Sequence, residues 1–351
     1  MHLKRLKIQN FRAIENVEVE LDNLVSVIIG PNAIGKTTIL EAIRAAKALL
    51  AARTQHEASQ FLNSLGATSP HMPQRLFPKA LTNRPEIPLI VKSLYALQPG
   101  ELEAISKILP QLASTYAQQS VGISPSNPAQ AISFLSSAQG KALLVGSEAQ
   151  LRDELERVKR VGSLELNLTI DFASANISGE FPIQQLFVAA LDQSLQPSKT
   201  MFSYFPADRA LPLGEQPVQL GLADVSQQLE SYNSQPQLKY NRLKHTIFSS
   251  IISDESGRSE IKTQFGLIFD KILRGRDLGE IGVNELGMLS ISIIDKDTGH
   301  VFEIDSLSSG KKGLILTFLL VARSVERNEY FSLTNLSSIS TRRYAEICFN
   351  S

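Results

Sequence analysis

The sequence predicts an α/β fold built around a phosphate-binding loop. Three observations predict it: the apolar run Leu24–Ile29, the glycine-containing loop Gly30–Thr37 directly after it, and the amphipathic stretch Gly35–Leu50 that follows. An almost unbroken apolar run suits a strand buried on both faces. Ile39, Ile43 and Ala46 then recur at helical spacing. A strand that ends in a tight loop and a helix N-terminus is a ready anion site, because the uncapped N–H groups and the helix dipole point the same way.

The remaining elements follow from periodicity. Leu3, Leu6 and Ile8 stand among Lys4, Arg5 and Lys7, and Val17, Val19 and Leu21 alternate with Glu18 and Glu20, so both segments read as half-exposed strands. Residues 51–160 are rich in Ala, Gln, Ser, Leu and Pro and read as a helical insertion, with helices expected at Glu101–Tyr116, Pro128–Ser137 and Glu148–Val161. Strand character returns at Ser163–Phe172 and at Met201–Pro206. Leu220–Ile252 and Ser259–Ile272 read as helical, and Leu289–Asp295 and His300–Ile304 flank a hairpin turn at residues 296–299. Gly310–Glu326 reads as an apolar helix. The expected organisation is 1–50 with the loop, 51–160 as insertion, 161–327 as the remainder of the same domain, and a separate tail at 328–351.

Composition narrows the function classes. The chain has 351 residues, with 35 Lys plus Arg balanced by 35 Asp plus Glu. No bulk positive field therefore draws in nucleic acid. The single cysteine, Cys348, excludes a disulfide framework and a cysteine zinc site within this sequence. No apolar run is long enough to span a bilayer, and the opening MHLKRLKIQNF lacks the apolar core of a signal peptide. A cytoplasmic, non-membrane protein is expected.

The loop carries the chemistry. Gly30, Pro31, Asn32, Ala33, Ile34, Gly35, Lys36 and Thr37 fill every position of G-x-x-x-x-G-K-[ST], and Thr38 follows. The glycines let successive N–H groups converge on phosphate oxygens. Lys36 supplies a point charge for the β- and γ-phosphates, and the Thr37 hydroxyl is placed to ligate Mg²⁺. ATP with Mg²⁺ is the expected cofactor, and ATP the expected small-molecule partner.

Three segments resemble the ABC-type ATPases of the SMC, RecF and OLD group, which are AAA-family ATP-binding proteins. Residues 6–12, Leu-Lys-Ile-Gln-Asn-Phe-Arg, resemble the opening strand and N-F-R turn of that group. The loop has its G-P-N-x-x-G-K-T-T form. Leu307, Ser308, Ser309, Gly310, Lys311 and Lys312 resemble the ABC signature at a helix start, with Lys311 standing where an acidic residue or glutamine is usual. The resemblance covers residues 1–50 and about 200–327. It implies a P-loop NTPase of ABC/SMC-head type with an inserted helical subdomain. It also implies that Arg12 touches phosphate and that Ser308, Ser309 and Gly310 close on the nucleotide of a second copy in an ATP-sandwich homodimer, provided the head is complete. The same Leu-Ser-Ser-Gly pattern fits an ordinary N-capped helix, and a solvated strand face also accounts for Lys4, Arg5, Lys7 and Arg12. Asp208 and Arg209 follow a strand end, where ligands gather in α/β sheets, although a surface ion pair fits them as well.

The resemblance also implies a hydrophobic strand ending in Asp-Glu after the signature helix, where the aspartate holds Mg²⁺ and the glutamate orients water. No such segment follows residue 312, and none of the five histidines follows residue 327. The fold is therefore expected to be incomplete at the C-terminus, with weak or absent hydrolysis and no catalytic residue assigned. The polar tail from Asn328 shows no helix or strand period. Loss of one G from a GGA codon just after Asn328 offers a reason. Codons compatible with the tail then read, in the other frame, as Val-Phe-Leu-Phe followed by Asp-Glu-Pro-Glu-Leu-His-Leu-Asn-Pro. Residues 329–351 are thus expected to be out-of-frame sequence. By resemblance, the function is a nucleotide-driven switch in DNA repair or phage defence, with DNA or a nuclease as partner. The alternative is a non-catalytic nucleotide-binding regulator that recruits a partner through residues 51–160.

Overall fold

The computed structural model describes residues 1–21, 26–31, 34–54, 56–69, 71–72, 75–122, 128–194, 201–205, 275–283, 289–307 and 330–333, with the single residues 266, 269, 311 and 315. The chain divides into two compact units, one formed essentially by Met1–Phe202 and one by Ser203–Arg327 with Phe331–Ser351.

The first unit opens with β1 (His2–Phe11) and β2 (Ile14–Glu20), an antiparallel hairpin. Next come α1 (Lys36–Leu50), α2 (Glu57–Ser64) and β3 (Leu89–Ala96). Three helices then follow in succession, α3 (Pro99–Ser120), α4 (Pro128–Ser136) and α5 (Ala138–Val161), and after them β4 (Ser163–Asp171), β5 (Asn176–Gly179) and α6 (Pro182–Ser194). The strands form one antiparallel sheet in the order β2-β1-β3-β4-β5.

Strand β3 lies inside the stretch read as a helical insertion, yet it forms the centre of this sheet, paired to β1 on one side and to β4 on the other. Its sequence, LIVKSLYA, alternates buried and half-buried residues along its whole length. That two-residue period is the strand signal that the compositional reading of 51–160 passed over. Helices do occupy the three expected places, although α3 and α5 extend well beyond them.

Register explains the core. Ile8 faces Val91, and Val91 faces Leu168, so three fully buried side chains form one row across β1, β3 and β4. One residue along, Lys7 faces Lys92 and Lys92 faces Asn167 on the opposite face. A one-residue slip would exchange the two rows, so the apolar face pins the register. Helix α1 lies against the sheet and contributes Ala42, Ile43, Ala45 and Ala46 to the same core, its alanines allowing close approach. Leu109, Leu112, Leu151, Leu155 and Val158 of α3 and α5 join that core as well.

The run Leu24–Ile29 differs from expectation. Residues 24 and 25 lie outside the described set, and 26–30 form no strand. Val27 is 61% exposed and Ile29 89%. An apolar run becomes a buried strand only between partner strands, and among the described residues no strand pairs with it.

In the second unit, β7 (Arg276–Val283), β8 (Leu289–Asp295) and β9 (Val301–Glu303) form an antiparallel sheet in that order. The β8–β9 hairpin is the expected one, its turn closed by Gly299 at φ 69°. A two-stranded ladder joins β6 (Phe202–Phe205) to β10 (Tyr330–Leu333). A short strand thus stands in a tail read as lacking any period; Tyr330 and Phe331 are both favourable strand residues. The helices expected at 220–252, 259–272 and 310–326 fall outside the described residues, apart from helical positions 266, 269, 311 and 315. Among the described residues no helix is long and apolar enough to cross a membrane.

Candidate functional site: the phosphate loop and the turn beside it

Lys36 is the first residue of α1, and Gly35 is its N-cap at φ 98°, ψ 13°. That left-handed conformation is open to glycine at little cost. A Cβ here would meet nothing closer than Ile14 Cγ1 at 3.7 Å, so the requirement is conformational, not steric. No side chain caps α1, and its first turn holds no acidic residue. The first N–H groups and the positive end of the helix dipole therefore meet no competing carboxylate from their own turn.

The Lys36 ammonium donates to the carbonyl oxygens of Gly30 at 2.8 Å and Pro31 at 2.6 Å. The lysine thus folds across the loop and holds its near end. Thr37 is exposed in the first turn and Thr38 half-buried. Gly30, Pro31, Ile34, Gly35, Lys36, Thr37 and Thr38 are described, whereas Asn32 and Ala33 lie outside the described residues. Helix start, left-handed glycine, lysine and exposed hydroxyl together fit a polyphosphate with a divalent cation. Ser308, Ser309 and Gly310, together with Asp208 and Arg209, also lie outside the described residues.

The N-F-R turn is held by several bonds at once. Asn10 and Arg12 both adopt left-handed backbone, at φ 56° and 52°, which is uncommon for residues with a Cβ. Asn10 is held by its side chain: its amide donates to Arg84 O at 2.9 Å and Ile87 O at 2.6 Å, and its oxygen accepts from the Thr82 hydroxyl. Phe11 is fully buried. The Arg12 backbone N–H donates to Leu81 O at 2.6 Å. Its guanidinium reaches Ala80 O at 3.4 Å and pairs with the Glu41 carboxylate of α1. Arg12 therefore faces the helix that begins at the phosphate loop, and its side-chain partner there is Glu41.

The other members of the basic N-terminal group include two that are neutralised locally. Arg5 pairs with Glu20 at 3.2 Å and Lys7 with Glu18 at 3.6 Å across the exposed β1–β2 hairpin. This is the solvated face that the alternating charges also allowed.

At the far end of α1 lies a group that the sequence reading missed. Lys47 donates to Glu57 at 2.6 and 2.8 Å and pairs with Asp192 of α6 at 3.1 Å. Burial alone would lower the lysine pKa; the Asp192 and Glu57 carboxylates outweigh it and hold the ammonium above its ordinary range. Glu57 also accepts from the Arg53 N–H, and Asp192 from the Met201 N–H, both at 2.7 Å. The charge cluster thus ties α1 to α2, α6 and the entry to β6. Its signal was present in the sequence: Lys47 stands four residues after Ile43, on the apolar face of the helix.

Comparison with known proteins finds sequence matches over the N-terminal segment. The AAA ATPase domain model matches residues 1–64. The DNA replication and repair protein RecF of Oceanobacillus iheyensis is 44% identical over 43 residues, 12% of this chain and 12% of that protein. RecF of an Exiguobacterium species is 38% identical over 66 residues, 19% of this chain and 17% of the relative. The OLD nuclease of Thermus scotoductus is 54% identical over 41 residues, 12% of this chain and 8% of the nuclease. The matched stretches span less than a fifth of each relative's length. Residues 1–64, which hold the N-F-R turn, the phosphate loop and α1, are thus similar to the AAA ATPase domain and, over shorter stretches, to RecF and OLD proteins.

Proposed function

We propose that this chain is an ATP-binding switch of the SMC/RecF/OLD-like group, with Mg-ATP held at Gly30–Thr38. The observation that carries this is the α1 N-terminus: a left-handed Gly35, no side-chain cap, no acidic residue in the first turn, and Lys36 folded over the loop carbonyls. The N–H groups of that turn bind phosphate, Lys36 leaves the Gly30 and Pro31 carbonyls for phosphate oxygens, and the Thr37 hydroxyl offers a metal ligand. Mg²⁺, arriving with ATP, neutralises phosphate charge. The RecF and OLD likeness supports a DNA-repair-related role; a role in phage defence, with DNA or a nuclease as partner, is part of the proposal. Closure of Ser308, Ser309 and Gly310 on a second copy's nucleotide belongs to the same proposal.

Residues 1–351 are proposed to bind nucleotide with little turnover, because no apolar run ending in Asp-Glu follows residue 312. Residues 329–351 are proposed to be out of frame. Two measurements test this. Sequencing the encoding DNA shows whether the codons used spell the Asp-Glu-Pro-Glu-Leu-His motif in the other frame. An ATPase assay then compares the present chain with a frame-restored one. Hydrolysis only after restoration supports the switch. Nucleotide binding without hydrolysis in both supports the regulator reading instead, in which the helices of 51–160, with Ile132 and Val145 exposed on α4 and α5, recruit a partner.

A further inference from the structure

We propose that Arg12 and Glu41 form a latch one helical turn beyond the start of α1, closed in the ligand-free protein and opened when a nucleoside triphosphate competes for the guanidinium. This rests on the nucleotide-binding reading above and adds its regulation. Glu41 becomes a positioning residue that acts through Arg12.

The placement of Glu41 comes first. It follows Thr37 by four residues in α1, so both stand on one helix face, about 6 Å apart along the axis. A guanidinium paired with Glu41 therefore lies one turn from the hydroxyl offered to the metal and from the positive end of the helix. The Arg12 side chain is about a third exposed and Glu41 about a sixth, at 32% and 15%. The pair is shielded enough to form and open enough to exchange partners.

The anchoring of Arg12 comes second. Its backbone is fixed by the Leu81 carbonyl and by the Asn10–Thr82 knot in the neighbouring turn, at a left-handed φ. The backbone stays in place while the long side chain remains free to swing. Beyond Glu41, its other side-chain polar contact among the described residues is a long one, 3.4 Å to Ala80 O. A carboxylate offers the guanidinium one negative charge, whereas a triphosphate terminus offers more charge and three oxygens, so the phosphate wins when present. The diphosphate is shorter and less charged, and it competes less well. Glu41 thus taxes binding, and the tax falls differently on ATP and ADP.

The test is titration of full-length protein with N-methylanthraniloyl-labelled ATP and ADP in Mg²⁺, with a thermal melt for each variant. Glu41→Gln tightens labelled ATP about fivefold, a shift of the size expected for removing one partly exposed ion pair, and tightens labelled ADP less. Glu41→Asp restores the wild-type ATP/ADP ratio. Arg12→Ala weakens ATP and makes Glu41→Gln silent. An unchanged ratio in Glu41→Gln, or the same shift in the Arg12→Ala background, overturns the latch. Lys36→Ala separates the two levels: if it abolishes binding while Glu41→Gln does nothing, the latch fails alone; if it leaves binding intact, the nucleotide site fails and the latch with it. Should Glu41→Gln melt early, wild-type protein decides: the Arg12 Nε–H resonance, assigned through Arg12→Lys, moves on addition of Mg-ATP, and a stationary resonance overturns the proposal.

Discussion

Lys47 and Glu57 share two hydrogen bonds, at 2.6 and 2.8 Å, in a place where neither side chain is more than 8% exposed. The ammonium also meets Asp192 at 3.1 Å. Removing the lysine leaves two buried carboxylates without their cation. Lys47→Met is therefore expected to cost about 3–5 kcal/mol, the usual penalty for breaking a buried pair from one side. Denaturant titration measures it. A double variant, Lys47→Met with Glu57→Gln, recovers part of the loss, and strict additivity of the two single costs would show that the residues do not interact.

Charge also sets the pH dependence. Hydrogen bonds from Arg157, joined by one from Gln184, hold the Glu154 carboxyl below its ordinary 4.5 despite partial desolvation. A depressed carboxylate stabilises the fold above its unfolded value, and that contribution fades as pH falls through the folded value. Wild-type melting temperature thus drops below about pH 4.5, and Glu154→Gln flattens that acid limb. Lys47 acts at the other end: its raised value gives stability that is complete below 10.5 and fades above it. Melts across the pH range check both limbs, and an acid limb unchanged in Glu154→Gln contradicts the assignment.

The Asn10 knot gives a two-variant prediction. Asn10→Gly keeps the left-handed backbone and loses the three side-chain hydrogen bonds, whereas Asn10→Ala loses both. The glycine variant is expected to lose about 1–3 kcal/mol, and the alanine variant about 1 kcal/mol more. Equal losses in chemical denaturation would show that the φ of 56° carries no cost.

Gly35 separates strain from stability. Gly35→Ala has open space for its Cβ but must hold φ 98°. The expected loss of fold stability is about 1 kcal/mol. Nucleotide affinity falls further, because the substituted backbone relaxes away from that φ and re-aims the first N–H groups of α1. Paired melts and nucleotide titrations distinguish this from a uniform loss.

Much of the first unit was legible because its signals are local. Alternation marked β1, β2 and β4, and the loop motif with Ile39, Ile43 and Ala46 marked α1. Other features depended on tertiary partners. The Val27–Ile29 run has the composition of a buried strand, but burial requires neighbours that periodicity cannot supply. Strand β3 was overlooked because the surrounding composition outweighed its eight-residue alternation. The Arg12–Glu41 pair spans 29 residues and the Asn10–Thr82 bond 72, and no spacing rule connects such positions. Lys47 was the exception: a lone cation on an apolar helix face announces a buried partner, although not which one.

The central claim is that the α1 N-terminus binds nucleotide through Lys36. Isothermal titration of the full chain with Mg-ATP, beside Lys36→Ala of matched melting temperature, tests it most directly. Saturable binding by the wild type, weakened at least about tenfold in the variant, is the predicted result. Equal affinity in the two proteins, or no binding by the folded wild type, would contradict it.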